Sequence, residues 1–105
     1  MITVPAAKNL ATIRDLQEEV AKAFEITTER LLSRDNLWAA RTARKVAMYL
    51  SWRLTRTSYA ELGKPFGRSG YSVRDAVLSV ERERSYNEPL QALLDRLECK
   101  FKPES

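Results

Sequence analysis

The chain contains no histidine, a single cysteine and only three glycines among its 105 residues. Without histidine there is no Ser-His-Asp or Cys-His catalysis and no histidine-ligated metal site. Cys99 alone forms neither an internal disulfide nor a four-cysteine zinc site, a usage that suits a reducing cytosol. The glycines never take phosphate-binding-loop spacing. No apolar run approaches ~18 residues, and the first residues lack the basic-then-apolar order of a signal peptide. What is present is 44% apolar and 30% charged residues, enough for one small core in a single domain. The expectation is a soluble cytoplasmic binding domain. It is not an enzyme, and it has no cofactor, no metal, no membrane contact and no small-molecule substrate.

Charge is unevenly spread. Between Asn36 and Arg74 lie eight basic residues (Arg41, Arg44, Lys45, Arg53, Arg56, Lys64, Arg68 and Arg74) against one acid, Glu61. The rest of the chain holds ten bases and thirteen acids. A basic middle between acidic flanks suits a polyanion, although the same charges also serve to solvate a helix face.

Residues 1–11 contain Pro5 and no clear periodicity, and read as a flexible arm. From Thr12 a helical pattern begins, with Ile13, Leu16, Val20 and Phe24 on one face and a Thr12/Asp15 spacing that resembles a capping box. Thr27 can cap a short second helix through Leu32. Asp35 and Asn36 favour a turn, and Trp38 to Thr55, free of Gly and Pro, is predicted as the longest helix. Its stripe is Ala39, Ala43, Val46, Ala47, Leu50 and Leu54, with Tyr49 and Trp52 off it, so two buried sides are expected. Trp38 and Trp52 read as core or core-edge residues. Ser58-Tyr59-Ala60-Glu61 is a capping box opening a short helix that Gly63 and Pro65 should end. Ser69 caps another helix with Val73, Ala76, Val77 and Val80 inside. Asn87, with Pro89 in the first turn, opens a last helix whose apolar face is Leu90, Leu93, Leu94, Leu97 and Phe101. Residues 102–105 read as a polar tail. The fold class is all-α, one domain over residues 12–101 with five to six helices.

The capped helix from Ser58, the Gly/Pro turn and the helix from Ser69 form a helix-turn-helix arrangement. In such a motif the start of the second helix enters the DNA major groove. Arg68, Tyr71, Ser72 and Arg74 are the candidates for base readout, Arg because it donates two hydrogen bonds to guanine and Ser because it pairs flexibly. Arg41, Arg44, Lys45 and Lys64 are the candidates for phosphate contact, placed on the exposed polar faces. Ser58 and Ser69 join them through the helix N-terminal amides they cap. The structural alternatives are that Tyr71 covers the core, that Arg74 pairs with Asp75, and that the basic residues are merely solvated.

Residues from about Thr12 to Glu83 resemble the C-terminal, duplex-DNA-binding domain of the bacterial replication initiator DnaA, within the wider Trp-repressor-like superfamily. The resemblance is carried by Ile13-Arg14-Asp15-Leu16-Gln17 with Val20-Ala21, by Leu31-Leu32-Ser33, and by Arg44-Lys45-Val46-Ala47-Met48-Tyr49-Leu50 with Leu54-Thr55. Its most specific stretch is Ser58-Tyr59-Ala60-Glu61-Leu62-Gly63, followed by Phe66-Gly67-Arg68. It implies a helix-turn-helix domain with a basic loop ahead of the long helix, and double-stranded DNA as the partner.

Two departures bear on function. Where the family carries D-H-T-T-V at the start of its recognition helix, this chain has Ser69-Gly70-Tyr71-Ser72-Val73. The Asp and His that help the family read its origin box are therefore absent. The family's basic loop aligns with Arg34-Asp35-Asn36-Leu37-Trp38, which holds one base and one acid. No AAA+ ATPase domain accompanies the motif, so the expectation is a stand-alone relative with altered or unknown sequence specificity, regulatory in replication or mobile-element biology. The alternative is a protein-interaction module that has lost DNA readout and binds a replication or transposition partner.

Overall fold

The structure, a computed structural model, describes residues 7–101. Six helices follow one another: α1 (Ala7–Ala23), α2 (Thr28–Leu32), α3 (Trp38–Thr55), α4 (Tyr59–Phe66), α5 (Gly70–Arg84) and α6 (Glu88–Phe101). Helix α3 is the axis of the domain, packed against both α1 and α5. Because it is covered by several neighbours, burial runs nearly all round it, from Ala43 through Val46, Ala47, Met48, Tyr49 and Leu50 to Ser51. This agrees with two buried sides. Ala40, rather than Ala39, is the fully buried alanine of its first turn.

Helix α1 contributes Ile13, Leu16 and Val20 to the core, α2 contributes Leu31, and α4 contributes Leu62 and Phe66. Val73, Ala76, Val77 and Val80 line the inner face of α5, at the three- and four-residue spacing a helix requires. Leu94 and Leu97 of α6 enter the same cluster, with Leu90, Leu93 and Phe101 packed at its edge. The terminal leucine stripe thus closes the core.

Local hydrogen bonds explain most boundaries. Thr27, Ser58 and Ser69 cap α2, α4 and α5 by accepting the amide three residues on. Asn87 Oδ1 accepts the Leu90 amide at 3.0 Å at the start of α6. Each cap satisfies one of the otherwise orphan first-turn N–H groups. Helix α1 ends with Glu25 in the left-handed region (φ 58°), Ile26 N–H reaching Ala21 O and Glu25 N–H reaching Lys22 O. This is a Schellman closure.

Two boundaries differ from the sequence reading. Helix α1 starts at Ala7, five residues before Thr12, so Thr12 lies inside a helix and residues 7–11 are not an arm. Residues 1–6 and the tail 102–105 lie outside the described residues. Helix α4 runs through Gly63 and Pro65 to Phe66. Its true end is Gly67 (φ +64°), where Arg68 N–H bonds Gly63 O at 2.9 Å and Gly67 N–H bonds Lys64 O at 3.1 Å. Proline carries no amide for the Glu61 carbonyl, a defect confined here to the last turn. The Pro65 carbonyl accepts Gln17 Nε2 at 3.3 Å.

Gly63 has a different use from the one expected. A Cβ there would sit 2.2 Å from the Arg68 carbonyl oxygen, a backbone atom that cannot swing away. Its missing side chain allows the turn to fold back onto α4. Gly70 likewise lets the start of α5 approach Ala60.

Candidate nucleic-acid interface

The helix-turn-helix is α4, the Gly67–Ser69 turn and α5, and α5 presents its first residues to solvent. Tyr71 is 80% exposed, and Ser72, Arg74 and Asp75 are exposed beside it. Ser69 Oγ accepts the Ser72 amide at 3.2 Å and donates to Ser72 Oγ at 3.3 Å. That pairing engages the Ser72 amide at the positive end of the helix dipole.

A groove separates this end of α5 from the start of α3. Arg41, Arg44, Lys45 and Arg68 line it, together with Asn36 and Ser72, and Asp75 is the one carboxylate on its wall. Arg41 and Lys45 form no ion pair among the described residues. Tyr71 and Arg74 stand on α5 outside the groove, and Lys64 lies on α4 paired with Glu61 at 3.3 Å. Ser58 caps α4 through the Glu61 amide at 3.2 Å. The structure therefore brings Arg41, Lys45 and Ser72 together and leaves Ser58, Lys64, Tyr71 and Arg74 on neighbouring surfaces.

Two expected ligands of DNA are placed differently. Arg44 does not project from a polar face. It is 6% exposed, and its guanidinium donates from Nε to Leu31 O at 2.8 Å and from Nη2 to Ser33 O at 2.8 Å and Asp35 O at 3.0 Å. Burial, followed by the charge of Arg68, pulls its pKa below the ordinary guanidinium value. Arg68 is half-buried. It donates from Nη1 to Phe66 O at 3.1 Å and Gly67 O at 3.4 Å, and from Nη2 to Ser33 O at 2.7 Å. Both guanidinium groups are held on backbone carbonyls. A guanidinium buried against the backbone needs acceptors, and the ends of α2 and α4 supply unpaired carbonyls.

The loop between α2 and α3 is tightly held. Asp35 accepts Arg30 Nε at 2.5 Å and the Leu37 amide at 2.8 Å, and Ser33 Oγ accepts the Asp35 amide at 3.1 Å. The Arg30 hydrogen bond, then that of the Leu37 amide, holds the Asp35 carboxyl below the usual carboxylate range. Asn36, read from sequence only as a turn former, reaches the groove. Next to it Leu37 and Trp38 are exposed, Trp38 by 74%, with its ring 6.4 Å from Phe24. Trp38 is thus a surface residue rather than a core one. Trp52 stacks on Tyr59 at 6.0 Å. Among the described residues no helix is long and apolar enough to cross a membrane, and no cluster has the ligands for a metal ion.

Helix order, the Gly67 turn between α4 and α5 and the exposed start of α5 define an all-helical helix-turn-helix protein. A family model described as the bacterial DnaA protein helix-turn-helix matches residues 13–80. The chain belongs to that family, and the membership supports DNA binding. Similar proteins include the chromosomal replication initiator protein DnaA of Thermodesulfovibrio yellowstonii, 30% identical over 95 residues, covering 90% of this chain and 22% of the relative. The DnaA protein of Anaplasma marginale is 38% identical over 78 residues (73% and 17%). That of Limosilactobacillus reuteri is 31% identical over 97 residues (91% and 22%). The chain spans about a fifth of the length of these curated relatives.

Proposed function

We propose that the protein binds double-stranded DNA, with the start of α5 in the major groove and the basic groove along the phosphate backbone. The observation that carries this reading is the convergence of Arg41, Arg44, Lys45 and Arg68 on one groove beside the exposed end of α5, against the single carboxylate of Asp75. Tyr71, Ser72 and Arg74 are placed for base edges. Arg41, Lys45 and Lys64 serve phosphates, as do Ser58 and Ser69 at the starts of α4 and α5. The roles first given to Arg44 and Arg68 become long-range attraction and support, because carbonyls accept hydrogen bonds without cancelling a cation's charge. With Ser69-Gly70-Tyr71 at the head of the recognition helix, sequence preference differs from the family's. Preference for the initiator's usual box over random duplex is no more than about tenfold. The role is that of a binding protein, regulatory in replication or mobile-element biology.

Titration of the full chain with duplex DNA at several salt concentrations tests this. Three phosphate-directed cations (Arg41, Lys45 and Lys64) give a slope of log K against log salt near about −3, at ~0.9 per contact. No binding at ~50 mM salt sinks the proposal. The exposed Leu37–Trp38 pair favours a second reading, in which this fold engages a replication or transposition protein through an apolar surface. In that case the titration is blank and substitution of Trp38 abolishes partner capture.

A further inference from the structure

The Ser33 carbonyl receives two guanidinium groups, Arg44 Nη2 at 2.8 Å and Arg68 Nη2 at 2.7 Å. Both lone pairs of that oxygen are engaged. Arg44 reaches across from the middle of α3 and also holds Leu31 O and Asp35 O, so it spans the loop from the end of α2 almost to the start of α3. Arg68 reaches from the opposite direction, out of the turn of the helix-turn-helix, where the same guanidinium grips Phe66 O. The α2–α3 loop and the recognition-helix turn, 35 residues apart in the chain, are thereby pinned to a common atom. Placing two cations side by side is unfavourable. It is tolerated here because each fork finds several carbonyls, and a planar fork matches such an array where an ammonium does not.

Resting on the DNA reading above, we infer that Arg68 is a positioning residue. Clamped with Arg44 on Ser33 O, it fixes the α2–α3 loop, with Asn36 at the groove, in register with the start of α5. A duplex contacted by both surfaces then meets a preformed arrangement and does not have to order the loop on binding. Arg68 touches DNA neither at a base nor at a phosphate in this role. Its loss lowers affinity without removing a direct phosphate contact.

The test uses the full chain, its Arg68→Ala variant and its Arg68→Lys variant. Lysine keeps the charge but cannot bridge Phe66 O and Ser33 O with a fork. Arg44 remains on Ser33 O in both, so folding is retained, and thermal unfolding checks this. Amide hydrogen exchange without DNA is expected to rise about tenfold at Asp35 and Leu37, whose N–H groups report loop order, and to stay unchanged in α1 and α6. Duplex affinity is expected to fall about tenfold in both variants, the scale of one lost charge-assisted hydrogen bond, with the salt slope changed by well under one unit. A slope reduced by about one unit in Arg68→Ala and restored in Arg68→Lys makes Arg68 a phosphate ligand and overturns the proposal. Unchanged exchange at Asp35 and Leu37 overturns it as well. If the unsubstituted chain binds no duplex, the DNA reading falls, while the exchange data still decide whether the clamp exists.

Discussion

Arginine is used in opposite ways toward the two ends of α3. Near its C-terminal end, Arg84 donates to Asp95 at 2.8 Å, to Glu98 at 3.1 Å and to the Tyr49 hydroxyl at 2.8 Å. Arg53 meets Glu98 at 2.7 Å, and Tyr49 donates to Glu81 at 2.5 Å. The carboxylates neutralise these cations, and the Glu98 hydrogen bond, the largest influence, holds the Arg84 pKa above its ordinary value. In the first half of α3, Arg44 and in the adjoining turn Arg68 bond only to carbonyl oxygens. Their charge survives, and it faces the groove. The comparison teaches that hydrogen-bond satisfaction and charge neutralisation are separate matters. One end of the domain is a closed polar network, and the other is a satisfied network that still attracts anions.

The largest effect that would break this comparison is on stability. Arg44→Met should lower the unfolding free energy by about 2–4 kcal/mol, because the Leu31 and Asp35 carbonyls lose their donor where water has little access and Ser33 O keeps only Arg68. Urea denaturation followed by circular dichroism measures it. A loss below ~1 kcal/mol would mean that the loop carbonyls find other partners. Arg84→Met should cost less, about 1–2 kcal/mol, since Glu98 keeps Arg53 and Tyr49 keeps Glu81. Its DNA affinity should be unchanged, and an affinity loss would show that the neutralised end also faces the duplex.

Lys45→Ala sharpens the contrast from the groove side. Stability should move by about 0.5 kcal/mol or less, while the salt slope of duplex binding falls by about one unit. The smallest expected effect is local. With its pKa depressed, the Asp35 carboxylate stabilises the loop above pH ~4, and this contribution is lost as pH falls through the lower folded value. Amide exchange at Leu37 should therefore quicken on acidification before α3 melts. Simultaneous loss of both would assign the loop's order to the arginines alone.

Much of this was legible locally. The caps at Thr27, Ser58, Ser69 and Asn87 each reach an amide three residues away, so short stretches of sequence announce them. The span of α3 follows from eighteen residues without a breaker. The early start of α1 was hidden by a Thr12/Asp15 spacing that mimics a cap, although Ala7, Leu10 and Ala11 all favour helix. Pro65 masked the last turn of α4, where a missing amide costs less than it does in mid-helix. Trp38 shows the limit of composition, since a large aromatic side chain ended on the surface beside Phe24.

The sequence by itself determined five to six amphipathic helices, most of their caps, the helix-turn-helix and the basic middle of the chain, because each depends on periodicity or on contacts within one turn. Tertiary structure alone decided which of the basic residues remain available. Arg44 finds its acceptors 9 to 13 residues away and Arg68 finds Ser33 at 35. No helical period relates those positions. Only the packing of α2, α3 and the α4–α5 turn brings the orphan carbonyls within reach of the two guanidinium groups. Arg41 and Lys45, with no such acceptor near them, are left to face the groove.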